Sequence, residues 1–360
     1  MRNDSGVNFV DKPRKKSSSA VLFSVGAFAA IIVIMLIANR RSRIANEIRL
    51  PLNNGIVNLS TCDNLLTAIS HDNKIYVWDW ADLSKKPREG VLESDQGILI
   101  TSDTVVSVKR ANPDRVVVSG LGADKSHKTI SLPTKSDTAY LSANRDRSRI
   151  VLLLARSNDG NNSSARYDLL DVLIDSGQVQ PILTIDSEQS NLGHLSVSDD
   201  GNCIVSAGEK NSHGWMCVVD AREKRLMWQK EMPDVRKIYK AAFASDGDTI
   251  YVRGSDSTLL LFKTSSGDII DRLLPIEENK STYRAQPVQT VAASPNGGLV
   301  AATVFGTVYV WDSRTHKILF GENSGHKVIS SMVFSPDSGY LATSDMRQGG
   351  TIKVWRMPGH

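Results

Sequence analysis

Residues Gly325–Met357 read GHKVISSMVFSPDSGYLATSDMRQGGTIKVWRM. Three segments in this stretch, VISSMVF, YLAT and TIKVW, carry β-branched and aromatic residues with strand-like alternation. Ser335-Pro336-Asp337-Ser338 separates the first two. Proline presets φ there, and a serine or aspartate side chain can bond the backbone beside it, so this is a tight turn. Arg347-Gln348-Gly349-Gly350 separates the last two, with glycine supplying the positive φ that a hairpin needs. The stretch is a three-stranded antiparallel meander, too small to bury its own faces.

A unit that cannot stand alone implies copies, and the chain holds them. VQTVAASPNGGLVAATVFGTVYVWDSRTHKILF, from Val288, has the same turn at Ser294-Pro295-Asn296-Gly297 and the pair Trp311-Asp312. A unit from Tyr239 places Phe262 where the tryptophan stands, and a unit from Leu195 carries Ser198-Asp199-Asp200-Gly201 and Val219-Asp220. LLTAISHDNKIYVWDW, near the start, turns at His71-Asp72-Asn73 and ends on Trp78-Asp79. Two more units, from Thr104 and from Ala139, keep the period without the signature residues. The spacing is about 40 to 50 residues throughout.

Gly325-His326, the Ser-Pro-Asp turn, Trp355 and the Trp-Asp pairs resemble the WD-repeat β-propeller family, over about residues 47–357. The resemblance implies an all-β fold: a seven-bladed WD-repeat-like propeller, here preceded by one N-terminal transmembrane helix. It also implies closure. The last unit lacks a fourth strand, and Glu47–Leu52 is a strand-like piece left over to complete it. In such repeats the histidine of Gly-His can bond a hydroxyl on a following strand. That assigns His326 to Thr343, near Trp355, with Asp345 as candidate third member.

The expected domains are a polar basic tail at 1–19, a transmembrane helix at 20–38, a juxtamembrane linker at 39–46 and the propeller at 47–357. AVLFSVGAFAAIIVIMLIA, Ala20–Ala38, is uncharged and would span about 28 Å as a helix. A cleaved signal peptide is the competing reading. The long apolar run, Leu36 at the position where a small residue is wanted, and Arg40-Arg41 directly behind favour an anchor. Five basic residues precede the helix and four follow it, so the positive-inside rule votes weakly. The expected orientation puts the propeller outside the cytoplasm.

Nine of the 43 Lys+Arg but three of the 39 Asp+Glu lie in residues 1–49, leaving 34 basic against 36 acidic residues for the rest. The basic excess therefore belongs to the membrane flanks, and no nucleic-acid partner is expected. The three cysteines do not make a disulfide framework. Cys62 and Cys217 are expected to pack as small hydrophobes; a register centred on the Glu209–Ser212 turn would set Cys203 opposite Cys217, within bridging reach, but unbridged packing is the favoured reading.

No histidine or cysteine array has metal-ligand spacing, and there is no phosphate loop, nucleophile elbow or dinucleotide fingerprint. Aspartate-rich turns such as Ser245-Asp246-Gly247-Asp248 recur where a blade needs a turn, which favours structure over calcium. No catalytic, cofactor or metal residue is expected, and no cofactor. The expected function is a membrane-anchored scaffold binding protein partners. The competing class is a propeller enzyme or small-ligand binder using the central channel, quinoprotein-like or lactonase-like. Partner contacts are expected on the face carrying the polar connectors Arg156–Arg166 and Glu277–Arg284, with His127, Tyr283, Arg284 and Arg347 as candidates. Asn161-Asn162-Ser163 fits a glycosylation acceptor.

Overall fold

Each repeat folds as four antiparallel strands, and the burial of each strand follows from its place in the blade. The computed structural model describes residues 43–50, 55–121, 127–157, 164–255, 258–273, 290–304, 306–326, 328–347 and 349–359. Strand β1 is Ile44–Arg49. Blade one is β2 (Ile56–Cys62), β3 (Leu65–Ser70), β4 (Lys74–Asp79) and β5 (Arg88–Val91). Blade two is β6 (Gln96–Leu99), β7 (Thr104–Val108), β8 (Arg115–Gly120) and β9 (His127–Ser131). Blade three is β10 (Thr138–Ala143), β11 (Ile150–Ser157), β12 (Ser164–Leu173) and β13 (Gln178–Glu188). Blade four is β14 (Ser190–Val197), β15 (Cys203–Lys210), β16 (His213–Asp220) and β17 (Arg225–Met232). Blade five is β18 (Ile238–Phe243), β19 (Thr249–Gly254), β20 (Leu259–Lys263) and β21 (Ile269–Leu273). Blade six is β22 (Val291–Ala293), β23 (Leu299–Val304), β24 (Thr307–Asp312) and β25 (Ile318–Asn323). Blade seven is β26 (Ile329–Phe334), β27 (Tyr340–Asp345) and β28 (Thr351–Arg356), and its fourth strand is β1. The described residues form an all-β, seven-bladed propeller with no helix.

The middle strands are buried on both faces because each blade is sandwiched between two others. Leu341–Asp345 and Ile250–Val252 are buried without alternation. Every apolar cluster accordingly joins neighbouring blades. Val151, Leu153 and Tyr167 of blade three meet Leu192, Ile204 and Trp215 of blade four. Tyr76 and Trp78 of blade one meet Ala342, Ile352 and Val354 of blade seven. Outer strands such as Arg88–Val91 are polar and exposed, which blunts a free sheet edge.

Closure runs through β1, which pairs antiparallel with β28: Glu47 lies opposite Lys353 and Ile48 opposite Ile352. The strand begins at Ile44 and ends at Arg49, earlier than the Glu47–Leu52 piece read from sequence. The Ser-Pro-Asp turn spends its side chains on its own backbone. Ser335 Oγ donates to Asp337 Oδ1 and accepts from Tyr340 N at 2.9 Å, while Gly339 N donates to Asp337 Oδ1 at 3.0 Å. Ser294 with Asn296, and Ser198 with Asp200, repeat the arrangement. These acidic residues are turn formers.

The register centred on Glu209–Ser212 is corrected, and the favoured unbridged state of Cys203 and Cys217 is what the structure shows. The β15–β16 connection is the two-residue turn Asn211–Ser212, both at positive φ, which joins Lys210 to His213. Cys203 then faces Asp220 and Cys217 faces Ser206. The two thiols pack on opposite faces of blade four, Cys217 toward blade three and Cys203 toward blade five. All three cysteines are free.

The chain divides into residues 1–43 and 44–360. The expected tail at 1–19, the spanning helix at 20–38 and the first half of the linker, 39–42, lie outside the described residues, while Ile44–Asn46 of the expected linker belong to β1. Among the described residues no helix is long and apolar enough to cross a membrane.

Candidate functional site

The innermost strands β2, β6, β10, β14 and β18 surround a central cavity of about 560 Å³. Polar side chains on them stitch one blade to the next. Gln96 Nε2 donates to Ala139 O at 2.7 Å, tying blade two to blade three. His194 Nε2 donates to Ala241 O at 2.7 Å, tying blade four to blade five. Ser331 Oγ donates to Asn58 Oδ1 at 3.3 Å, tying blade seven to blade one.

Basic groups concentrate in this wall. Lys240 on β18 and Arg253 on β19 are directly opposite in register. Lys240 Nζ donates to Thr290 Oγ1 at 3.3 Å. Burial and then the charge of Arg253 push the Lys240 ammonium down to about 8. Arg253 lies 4.5 Å over the Tyr239 ring, its Nε has no partner, and burial lowers it to about 10. Arg147 donates to the carbonyls of Thr61 and Asn144, and its buried Nε has no partner. Arg110 sits at the rim, 5.7 Å over the Tyr140 ring. Asp95, also on the rim, accepts Arg110 N at 2.7 Å.

Burial, reinforced by the charge on Lys240, brings His194 from its ordinary 6.5 down to about 4. The neutral ring with a proton on Nε2 fits its bond to Ala241 O. Between pH 6.5 and 4 the unfolded chain binds a proton here that the folded chain does not, so stability falls as pH falls. Unfolding in urea should show about 2 kcal/mol lost from this residue between pH 7 and 5, and His194→Asn should remove that part of the slope. Parallel slopes for the two proteins would contradict this.

The repeat-signature residues are structural. Trp78, Trp311 and Trp355 are almost wholly buried. Asp79 Oδ1 accepts from Ala81 N at 2.9 Å and Asn64 Nδ2 at 2.6 Å, and Asp312 Oδ1 accepts from Thr315 N at 2.7 Å, so both close turns. Trp355 Nε1 donates to Thr343 Oγ1 at 3.0 Å, and His326 Nε2 lies 3.2 Å from the same oxygen. Asp345 Oδ2 is 3.7 Å from His326 Nδ1. Burial lowers the His326 pKa, with Asp345 opposing.

The two described interface candidates, His127 and Arg347, lie apart. His127 opens the outer strand β9 of blade two, with Nδ1 3.4 Å from Glu93 Oε1. Arg347 is exposed in the β27–β28 turn of blade seven, its amide bonded to Asp345 Oδ1 at 2.9 Å. Tyr283, Arg284 and the Asn161-Asn162-Ser163 acceptor lie outside the described residues. No motif marks Lys240, Arg253 and His194, because single residues from three strands make none. One signal was present: a register centred on the Ser245–Asp248 turn sets Lys240 against Arg253.

Loops between second and third strands share one face, the upper face, with the connections between blades; the remaining turns form the lower face. A second cavity of about 590 Å³ opens on the upper face between blades three and four, beside Arg156, Tyr167, Gln189 and Glu209.

Comparison with known proteins agrees with this geometry. The WD domain, G-beta repeat model matches residues 318–356, which is the outer strand β25 of blade six followed by β26–β28. Protein ROOT INITIATION DEFECTIVE 3 of Arabidopsis thaliana is 31% identical over 104 residues, 28% of this chain and 23% of that protein. Mitogen-activated protein kinase-binding protein 1 of Homo sapiens is 34% identical over 70 residues, 19% of this chain and 5% of that protein. Its Mus musculus counterpart is 35% identical over 65 residues, 18% of this chain and 4% of its own. The matched stretches thus span less than a quarter of these relatives. The chain is a seven-bladed β-propeller that carries a WD-type repeat at residues 318–356.

Proposed function

We propose that this protein is a membrane-anchored scaffold whose propeller binds protein partners on its upper face, acting by binding rather than by turnover. The observation that carries this reading is the rim of the central cavity, where loops from several blades converge around basic side chains. On the lower face, by contrast, the repeated turns satisfy their own polar groups. One relative is by its printed name a kinase-binding protein, which supports a protein partner here. Residues 20–38 supply the anchor, because an uncharged apolar run of that length between basic flanks suits a bilayer. The propeller lies outside the cytoplasm. Protease added outside sealed cells should digest it, and protection of a C-terminal tag would reverse that orientation.

The binding face is tested by placing a photocrosslinking residue at Arg110 or Arg347 on the upper face, and at Arg222 or Arg314 on the lower. All four are exposed. Upper-face positions in the full chain should yield discrete protein adducts several-fold above lower-face positions. Equal labelling of both faces would sink the proposal.

A further inference from the structure

Two cations are held side by side in this fold with no anion between them among the described residues. Lys240 and Arg253 are cross-strand partners on β18 and β19. Like charges directly opposite each other repel, and a half-buried site with reduced water screens them poorly. Neither forms an ion pair among the described residues. Lys240 has one neutral hydroxyl, Thr290 Oγ1, and Arg253 has the Tyr239 ring face and an Nε without a partner. The neighbouring blade brings a third nitrogen base, His194, whose Nε2 is bound to Ala241 O, the residue after Lys240. Asp95 is a carboxylate in the wall of this cavity, on blade two, and it is engaged by the Arg110 amide.

The site is also open. Tyr239, whose ring lies against the half-buried Arg253 guanidinium, is 42% exposed, so solvent reaches this end of the blade. Gly193, one residue before His194, leaves free space: a Cβ there would meet nothing nearer than the Tyr140 hydroxyl at 3.7 Å. Stacking on the ring fixes the guanidinium plane and leaves its N–H edge for a planar acceptor, the geometry that suits an oxyanion.

We infer that Lys240, in the wall of the central cavity, and its cross-strand partner Arg253 form an oxyanion site beside the upper mouth of that cavity, and that it takes the side-chain carboxylate of an acidic segment of a protein partner. This rests on the scaffold reading and adds the chemistry of the bound group. A carboxylate between the two cations replaces their repulsion with two charge-assisted hydrogen bonds. A peptide, unlike a free ion, adds backbone contacts along the rim, so it binds more tightly than an isolated anion.

The test uses the full chain in detergent, with binding read by calorimetry and by the shift in thermal midpoint. The probes are inorganic phosphate, a hexaglutamate peptide and a hexaglutamine peptide, at matched ionic strength. Hexaglutamate should bind at least tenfold more tightly than phosphate, and hexaglutamine should not bind. Lys240→Met and Arg253→Gln should each weaken hexaglutamate at least tenfold. With no anion present, Lys240→Met should unfold at or above the wild-type midpoint, since it removes a repulsion; that midpoint also certifies folding. Equal hexaglutamate affinity in wild type and both variants would overturn the site. Phosphate binding tighter than hexaglutamate would overturn the peptide as its ligand. The scaffold reading is scored separately: upper-face adducts that persist in Lys240→Met would leave it standing while the oxyanion site falls.

Discussion

Trp355→Ala is expected to lower the unfolding free energy by about 4 kcal/mol, the largest loss from any single truncation argued here. The indole is fully buried, in the cluster that holds Leu341 of the adjacent strand together with Val310, Trp311 and Phe334. Deleting it removes apolar burial and opens a cavity between blades, where neither neighbour can collapse without shifting the ring. It also removes the Nε1 donor to Thr343 Oγ1, leaving that hydroxyl to His326 and the Lys353 carbonyl. Trp355→Phe should cost less, about 1 to 2 kcal/mol, because the ring volume is largely kept and one hydrogen bond is lost. The molecule already contains that substitution. Phe262 fills the corresponding place on β20 and is fully buried. Urea unfolding of the full chain measures both variants. A loss below about 1 kcal/mol for Trp355→Ala would mean that the blade is not packed as described.

Much of this fold was legible because its repeat chemistry is local. A serine, a proline or aspartate and a glycine or serine at fixed offsets make a turn from their own atoms, so Ser335–Ser338 and Ser294–Gly297 could be read without knowing what packs on them. The tryptophans were legible for a related reason: the next-to-last residue of a third strand lies at the centre of an interblade cluster. Closure followed from counting strands, although β1 sits a few residues earlier than its apolar pattern placed it.

Register was the weak link. Asn211 and Ser212 both take the left-handed conformation, which makes a two-residue turn where a longer one was read. The register that follows sends Cys203 and Cys217 to opposite faces of blade four, because side chains alternate along a strand. The channel site was hidden for a different reason. Lys240 and Arg253 meet across one hairpin, but His194 is some 46 residues earlier than Lys240, and only the packing of blade four on blade five brings it to them. Residue type alone does not mark an interface: His127 and Arg347 belong to blades two and seven, on separate surfaces.

The channel, the upper face and every interblade cluster depend on one join, between β1 and β28. Glu47 and Lys353 are partners across that join, so Glu47→Cys with Lys353→Cys places two thiols at a spacing that antiparallel strands and disulfides share. Native thiols should not interfere. Burial pushes Cys203 up to about 11 and Cys217 to about 12, and it raises Cys62. A bridge here would close a loop of nearly the whole chain, so oxidation should stabilise the fold by about 5 kcal/mol, the upper end for a disulfide. The deciding measurement is mass spectrometry of the oxidised full chain, with Arg49→Cys and Lys353→Cys as an off-register control. A disulfide between positions 47 and 353 within one monomer, with none in the control, is the predicted result. No bridge, or bridges only between separate chains, would show that the two ends do not close the ring, and the binding face described here would lose its basis.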